Sequence, residues 1–449
     1  MAGLQSGRHY RLFAAVLLLL GAWGSRAFAD DSGSTPADQD WAVHAQVTSV
    51  TQFHPAFTSP YRGANSLDPG SRGDETLDMT LFAGVRPWSG GEVWFNPEID
   101  QGFGLSDTYG IAAFPSGAAY KIGSDVPYFR VQRLFFRQTI GLGGKVEDVE
   151  PDANQLGGSR TADNLVITLG KFSVVDVFDN NTYAHDPRAD FLNWGIIDAL
   201  AFDYAADSWG YSDGAAAEWT QSWWTLRSGL FATSTVPNGP RIQTDFSYFE
   251  IVSEAEERHT LFGRDGKLKI LGFLNRAPMG SYDAAVRLGE ETHTTPDTAL
   301  VRNYKSRGGA EMNLEQSITG ELGSFLRFSM NDGSQESYEF SDSNRSLSGG
   351  LSLRGNEWQR PDDTVGLAFV GDDISHSARA YFADGGLGTL IGDGQLPHYG
   401  FEKIVEANYT AQITSWFWAA ADYQFVTNPG YNADRGPVSI LGMRFHLEF

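Results

Sequence analysis

The sequence has no cysteine. Disulfides, thiolate metal sites and cysteine nucleophiles are therefore excluded. Positive charge is scarce as well: Lys+Arg 33 stand against Asp+Glu 56, a formal net charge of −23. A polyanion of this kind repels phosphate, which excludes nucleic acid as a partner. Long apolar runs are missing beyond one short stretch near the N-terminus, so helices that cross a membrane, which need ~20 apolar residues, are excluded too. The histidines, among them His44, His54, His185, His259 and His446, never fall at H-x-x-x-H spacing, and neither a metal nor a cofactor is expected. What is present is backbone freedom and rings: 449 residues with Gly 51, 13% aromatic and only 41% hydrophobic. A chain poor in aliphatic core and rich in glycine and aromatics suits a large β-barrel with a wet interior.

Arg8 and Arg11 precede the apolar run Leu12 to Leu20, and Ala27-Phe28-Ala29 follows. Basic, apolar and A-x-A segments in this order form a secretory signal, predicting removal of residues 1–29. The run is too short to be a membrane anchor. Loss of a leader that carries three arginines and no acid takes the net charge to −26. Residues 30–40 read as a polar N-terminal tail, and 41–449 as one barrel domain.

Apolar and polar residues alternate with a period of two along the rest of the chain. In the terminal segment Leu441, Met443, Phe445, Leu447 and Phe449 share one face, while Gly442, Arg444, His446 and Glu448 share the other. One face suits lipid and the other water. The same pattern places strands near 41–53, 75–86, 92–99, 129–140, 163–171, 209–219, 222–233, 244–256, 267–276, 303–318, 322–332, 345–354, 363–371, 402–413, 416–426 and 438–449. This predicts an all-β, transmembrane antiparallel barrel of sixteen strands in the outer membrane of a Gram-negative bacterium; fourteen or eighteen strands are also compatible with the pattern. Short and long connections alternate, the long ones being outer loops at 54–74, 100–128, 172–208, 277–302 and 372–401. Trp88, Trp223, Trp224, Trp358 and Trp416 sit beside short connections, where an interfacial aromatic girdle is expected. Residues 141–162 read as the one long polar loop on the periplasmic side.

Segment 171–194 breaks the alternation and gathers Asp176, Asp179, Asn180, Asn181, His185, Asp186, Arg188, Asn193 and Trp194. Too polar for lipid, such a loop can fold inward and narrow a lumen that would otherwise select only by gross size. The strand before it supplies Arg133 and Arg137 on one face with Phe135 between them. Arg86, Glu98, Arg227, Arg327 and Arg444 also take the water-facing parity. Guanidinium forks and carboxylates can hold vicinal hydroxyls, and rings such as Phe135, Trp94 or Trp418 can stack on the apolar face of a sugar. For any one of these charges, mutual neutralisation in a wet lumen is an equal alternative.

The runs FHPAFTSPYRGANSL (53–67), EVWFNPEIDQGFGLS (92–106), DVFDNNTYAHDPRADFLNW (176–194) and YQFVTNPGYN (423–432) resemble the carbohydrate-selective porin family of the OprB type, in order along the mature chain. The resemblance implies a sixteen-stranded, monomeric barrel, a constriction made by the third loop, and an arginine-lined path for monosaccharides such as glucose. It maps family pore residues onto Arg133, Arg137, Asp176, Asn180, Asn181 and Arg188. Lipid and lipopolysaccharide around the barrel, and the assembly machinery reading the terminal Phe449, are the expected partners; association as a homotrimer stays open beside the monomer.

Two catalytic motifs fail on context. Gly210-Tyr211-Ser212-Asp213-Gly214 matches G-x-S-x-G but opens a strand instead of turning from strand to helix. Gly141-Leu142-Gly143-Gly144-Lys145 lacks the first glycine and the final Ser/Thr of a phosphate loop. No enzyme is expected. The alternatives are a barrel enzyme of lipase or protease type, with His185 and Asp186 as its candidate pair, and a polysaccharide exporter, against which the negative charge argues.

Overall fold

The computed structural model describes residues 38–120, 122–340 and 342–449; the expected leader lies outside them. The period-two segments form sixteen antiparallel strands closed into a single barrel, each bonded to its chain neighbours and β1 to β16. They are β1 Trp41–His54, β2 Arg72–Val85, β3 Gly91–Gly102, β4 Ser124–Val149, β5 Gly158–Phe172, β6 Ser212–Gln221, β7 Trp224–Ala232 and β8 Phe249–Leu261, followed by β9 Arg264–Met279, β10 Asn303–Ser317, β11 Leu322–Asn331, β12 Arg345–Gly355, β13 Arg360–Asp373, β14 Glu402–Thr414, β15 Phe417–Thr427 and β16 Val438–Glu448. Closure runs from Gln46↔Glu448 to Phe53↔Leu441. A closed sheet has no unpaired edge, the condition for crossing a bilayer with strands.

Burial is inverted relative to a water-soluble domain. Leu351, Leu367, Phe369, Val405, Leu441 and Met443 are exposed, whereas Glu254, Glu311, Arg327, Glu406, Gln424 and Arg444 on the alternate positions are buried. Turns such as 222–223, 262–263 and 415–416 close one end, and long loops close the other. All five tryptophans of the expected girdle lie at the short-turn end, with Trp88, Trp223 and Trp416 exposed.

The differences from the sequence reading have local causes. The strand expected at 209–219 starts at Ser212 because the Asp207 carboxylate accepts the amides of Trp209 and Tyr211, holding 207–211 as a turn. The strand expected at 244–256 is shifted to Phe249–Leu261, because Asp245 accepts from Ser247 N and Phe246 takes a positive φ of 56°. Residues 141–162 are not a polar loop: β4 and β5 continue through most of them as a hairpin with its turn at 150–157. Among the described residues three helices went unforeseen: α1 Trp194–Ile197, and α2 Tyr282–Thr292 and α3 His376–Ala383, which pack together through Tyr282 and Tyr381 in loops at the long-loop end.

The loop between β5 and β6, 173–211, lies inside the barrel. Its backbone is bonded by inward side chains of strands around the circumference: Asp179 N donates to Glu254, Thr182 N to Glu315, Ala201 N to Ser329, and Leu192 N and Asn193 N to Glu406. Arg444 returns the interaction, donating to the carbonyls of Pro187, Ala189 and Asp190. Loop 103–123, expected as an ordinary outer loop, also turns inward: Glu402 accepts the amides of Ala112 and Ala113, and the two loops pair through Gly117 N to Leu192 O and Trp194 N to Phe114 O. Part of the acidic excess is thus spread over the inner wall, where carboxylates satisfy loop amides that no sheet would pair. Each such charge-assisted bond contributes roughly 1.5–3 kcal/mol.

Candidate functional site

β4 carries the cations of the site. Its pleat turns Arg133, Phe135 and Arg137 to the lumen while Leu134 stays exposed on the outer face. At the start of loop 173–211 a short turn, Val174–Asp176, is capped by its own side chains: Asp176 accepts the Ser173 amide at 2.9 Å. The same carboxylate receives Arg133 in a fork, Nε at 2.7 Å and Nη2 at 2.6 Å, and the guanidinium lies 4.9 Å from the Tyr211 ring. Burial opposes charge on Asp176, but Arg133 outweighs it and holds the carboxyl below the ordinary aspartate range.

Arg188, from the same loop, reaches Asp78 of β2 at 3.1 Å and lies 3.9 Å from Asp186. Burial works against its charge, yet these two acids keep it firmly protonated. His185 sits 3.7 Å from Asp198. Burial pulls its pKa down, Asp198 pushes it up, and the balance is above the ordinary histidine value.

These groups form a waist between two cavities. On the long-loop side a cavity of about 200 Å³ is lined by Arg133, Arg188 and a ring cluster of Phe114, Trp194, Tyr204, Trp209, Tyr211 and Phe340. Trp194 and Phe114 are stacked 5.0 Å apart. On the short-turn side a cavity of about 1400 Å³ is lined by Arg86, Phe135, Arg137, Asn180 and Arg227 among others. Asp176 and His185 line both. Every guanidinium of the waist has a carboxylate partner, Arg188 two of them, so donors and acceptors are presented side by side.

Of the residues singled out in the sequence, Arg133, Asp176, His185, Asp186, Arg188 and Trp194 line the upper cavity, and Arg86, Phe135, Arg137, Asn180 and Arg227, with Asp176 and His185 again, the lower. Glu98, Asp179 and Asn181 line neither: Glu98 stands in the wall, and Asp179 and Asn181 fasten the loop to it. Glu98 accepts Thr80, Tyr120 and Gln132; Asp179 binds Arg327 and Asn313; Asn181 donates to Asn313. Polarity on an inward position could not separate them from cavity-lining groups, because the inner wall is polar throughout.

Asp78, Tyr120, Tyr204, Trp209 and Tyr211 were missed. Asp78 was visible as an inward position of β2, whereas the rings arrive on loops without periodicity. Among the described residues no cluster of His, Asp and Glu is placed to hold a metal. Ser212 is buried in β6 with its hydroxyl donated to the Ala232 carbonyl, and the partner of His185 is Asp198 instead of Asp186, which accepts the Arg188 amide.

A family model described as carbohydrate-selective porin, OprB family, matches residues 64–449. Among solved structures the fold is similar to the high-pH structure of Pseudomonas putida OprB, at 13% identity over 91% of this chain and 94% of that one, with a TM-score of 0.67. It is also similar to the outer membrane channel DcaP of Acinetobacter baumannii, at 10% identity over 94% of this chain and 100% of that one, with a TM-score of 0.50. A search of curated proteins finds no match.

Proposed function

The chain belongs to the OprB family of carbohydrate-selective porins, and from that premise we propose which residues do the selecting. It is a passive carbohydrate channel in the outer membrane, a sixteen-stranded barrel through which sugars move down their gradient. The waist formed by Arg133 with Asp176 and Arg188 with Asp78, faced by Trp194 and Tyr211, is the selectivity filter, and neutral monosaccharides such as glucose are its substrates. The observation that carries this reading is the pairing of each waist guanidinium with a carboxylate beside a ring cluster.

A sugar offers hydroxyls to Arg133, Asp176 and Arg188 and a C–H face to the rings, whereas an ion has to shed its hydration shell. Binding of this kind is weak, as transit requires, since a tightly held solute would not leave. Arg137 and Arg86, over the larger cavity, pass the sugar toward the periplasm, with Phe135 and Asn180 on the same surface.

One chain closes the barrel and supplies every waist residue, so each barrel carries its own pore. The terminal Phe449 is the mark read by the assembly machinery; its backbone pairs with Ala45 and its ring stacks 5.7 Å from Trp416. The family and fold are those of channels; the burial of Ser212 supports the further reading that no hydrolytic activity accompanies them. A balanced waist also speaks against export of an acidic polymer, which would need a continuous positive track.

Swelling of liposomes that contain the refolded protein tests the proposal, comparing glucose, a disaccharide and a zwitterionic amino acid of glucose size. Fast glucose uptake with slow amino-acid uptake is expected. Equal rates for the two small solutes would make this a general pore and remove the waist residues from a selective role.

A further inference from the structure

β4 is 26 residues long, and its far end has no neighbour but β5. β3 stops pairing with β4 at Gln138, and β6 stops pairing with β5 at Asn164. Beyond those points the two strands form a free hairpin at the short-turn end, and a lone hairpin in water is marginal. This one does not project away. Its register breaks around Gly143, where φ is 116°, and Gly144, where φ is 84°, and the strands bend there, since such angles are open to glycine at little cost.

The turn is docked inside the barrel. Asn154 accepts the Asn96 amide on its side chain at 2.8 Å and the Arg137 guanidinium on its carbonyl at 2.7 Å, while Arg86 donates to the Gly157 carbonyl at 3.2 Å. Asn96 lies well within β3 and faces the lumen with no exposure, so the tip stands inside the rim. Leu156 is 1% exposed and joins the core, and Gln39 closes the base of the turn by pairing with Gly157. The Asn154 backbone is in the left-handed region, φ 59°, which aims its amide at Asn96. Across the same 1400 Å³ cavity from this tip stand Asn180 and Arg227.

We propose that the tip of the β4–β5 hairpin, residues 150–157 with Asn154 at its apex, is a second size-selecting element of the channel, in series with the waist and on its exit side. The two enclose the 1400 Å³ cavity as a transit chamber. A solute past the waist meets an uncharged amide and a backbone carbonyl, which exchange hydrogen bonds with hydroxyls and resist bulk. The inference rests on the channel reading above and assigns the lower limit on pore width to a segment that this reading does not use.

Single-channel recording in planar bilayers and liposome swelling test it on the full chain with two variants. Deleting Asp152–Gln155 is expected to raise conductance by at least about 1.5-fold and to speed the disaccharide relative to glucose, while glucose remains faster than the amino acid. Because the chain contains no cysteine, Asn154→Cys gives a unique thiol. With its conductance before modification as the reference, a bulky methanethiosulfonate reagent should lower conductance at least about twofold, reversed by reductant. A labelled Asn154→Cys channel of unchanged conductance overturns the proposal, as does a folded deletion variant with parental conductance and parental solute ratios. If the parent fails to prefer glucose, it is the selectivity assigned to the waist that falls, and block through the Asn154→Cys label still decides the placement of the tip.

Discussion

Loop 173–211 carries two Arg–Asp pairs three residues apart that do opposite work. Asp176 meets Arg133 at the waist, where both side chains keep partial exposure and both line a cavity. Asp179 meets Arg327 of β11 at 2.7 Å in complete burial, where Arg327 also donates to the carbonyls of Asp179 and Ile196 and Asn313 adds a bond to the carboxylate. The chemistry is the same and the surroundings differ. In a barrel whose inner wall is polar, a charged pair facing inward is either a surface for solute or a rivet for the loop. What separates the two is whether the loop covers it.

The largest effect that would sharpen the contrast is expected from Arg327→Met. It leaves Asp179 charged and buried without its partner, a loss of about 3–5 kcal/mol of loop anchoring. Protease cleavage within 173–211 in an otherwise intact barrel should rise, and glucose selectivity should fall with it. A loop as resistant as the parent's would break the comparison.

Arg133→Ala with Arg137→Ala comes next. Each removed cation is partly hydrated, so the loss of stability per site in a thermal melt should stay below the about 3–5 kcal/mol of a fully buried pair. Conductance should instead increase, glucose discrimination should weaken, and the reversal potential in a salt gradient should move toward cation preference as Asp176 loses its partner. An unchanged selectivity ratio would remove both arginines from the filter.

His185 should give a smaller, pH-dependent effect. Its pKa in the folded protein is raised above the ordinary value, with Asp198 overcoming the effect of burial. The stabilising contribution of the charged form is therefore complete below the unfolded pKa and is lost as pH rises through the folded one. Above that point the waist loses a positive charge, so ion selectivity should drift toward cations; His185→Gln should be flat over the same range.

The smallest effect is expected from Glu406→Gln. It keeps one acceptor for Leu192 N or Asn193 N, and its melt should shift by no more than about 1–2 kcal/mol with sugar selectivity retained. A loss of selectivity here would mean that the covered wall shares in filtering.

The legibility of the molecule follows the same division. Alternation along β16, with Leu441 and Met443 against Arg444 and His446, or along β4, with Leu134 against Arg133 and Phe135, is a local property of the chain, and so strand position and facing could be read residue by residue, while the count is fixed only where the sheet closes. Where a carboxylate overrode the pattern, as Asp207 does at the head of β6, the reading was off by the few residues that the carboxylate caps. The hairpin at 141–162 was misread because Lys145, Glu147 and Asp148 point into water on both sides, and a strand without a buried face has no period to show. The segment 100–128 reads as an outer loop because residues that fold into a polar lumen have the composition of residues that face solvent.

By itself, then, the sequence determined an inside-out β-barrel of about sixteen strands, its aromatic rim and the cations of β4, because each rests on a periodicity of two that every strand states for itself. Only the tertiary structure decided that a second loop, after β3, joins the expected one in the lumen and that Asp176 is a waist residue while Asp179 is an anchor. It alone also turned the β4–β5 hairpin back upon Asn96. Those outcomes depend on which distant carboxylates and amides meet once the sheet closes, such as Glu406 with Leu192 or Glu402 with Ala112, and separations of two hundred residues or more leave no local trace.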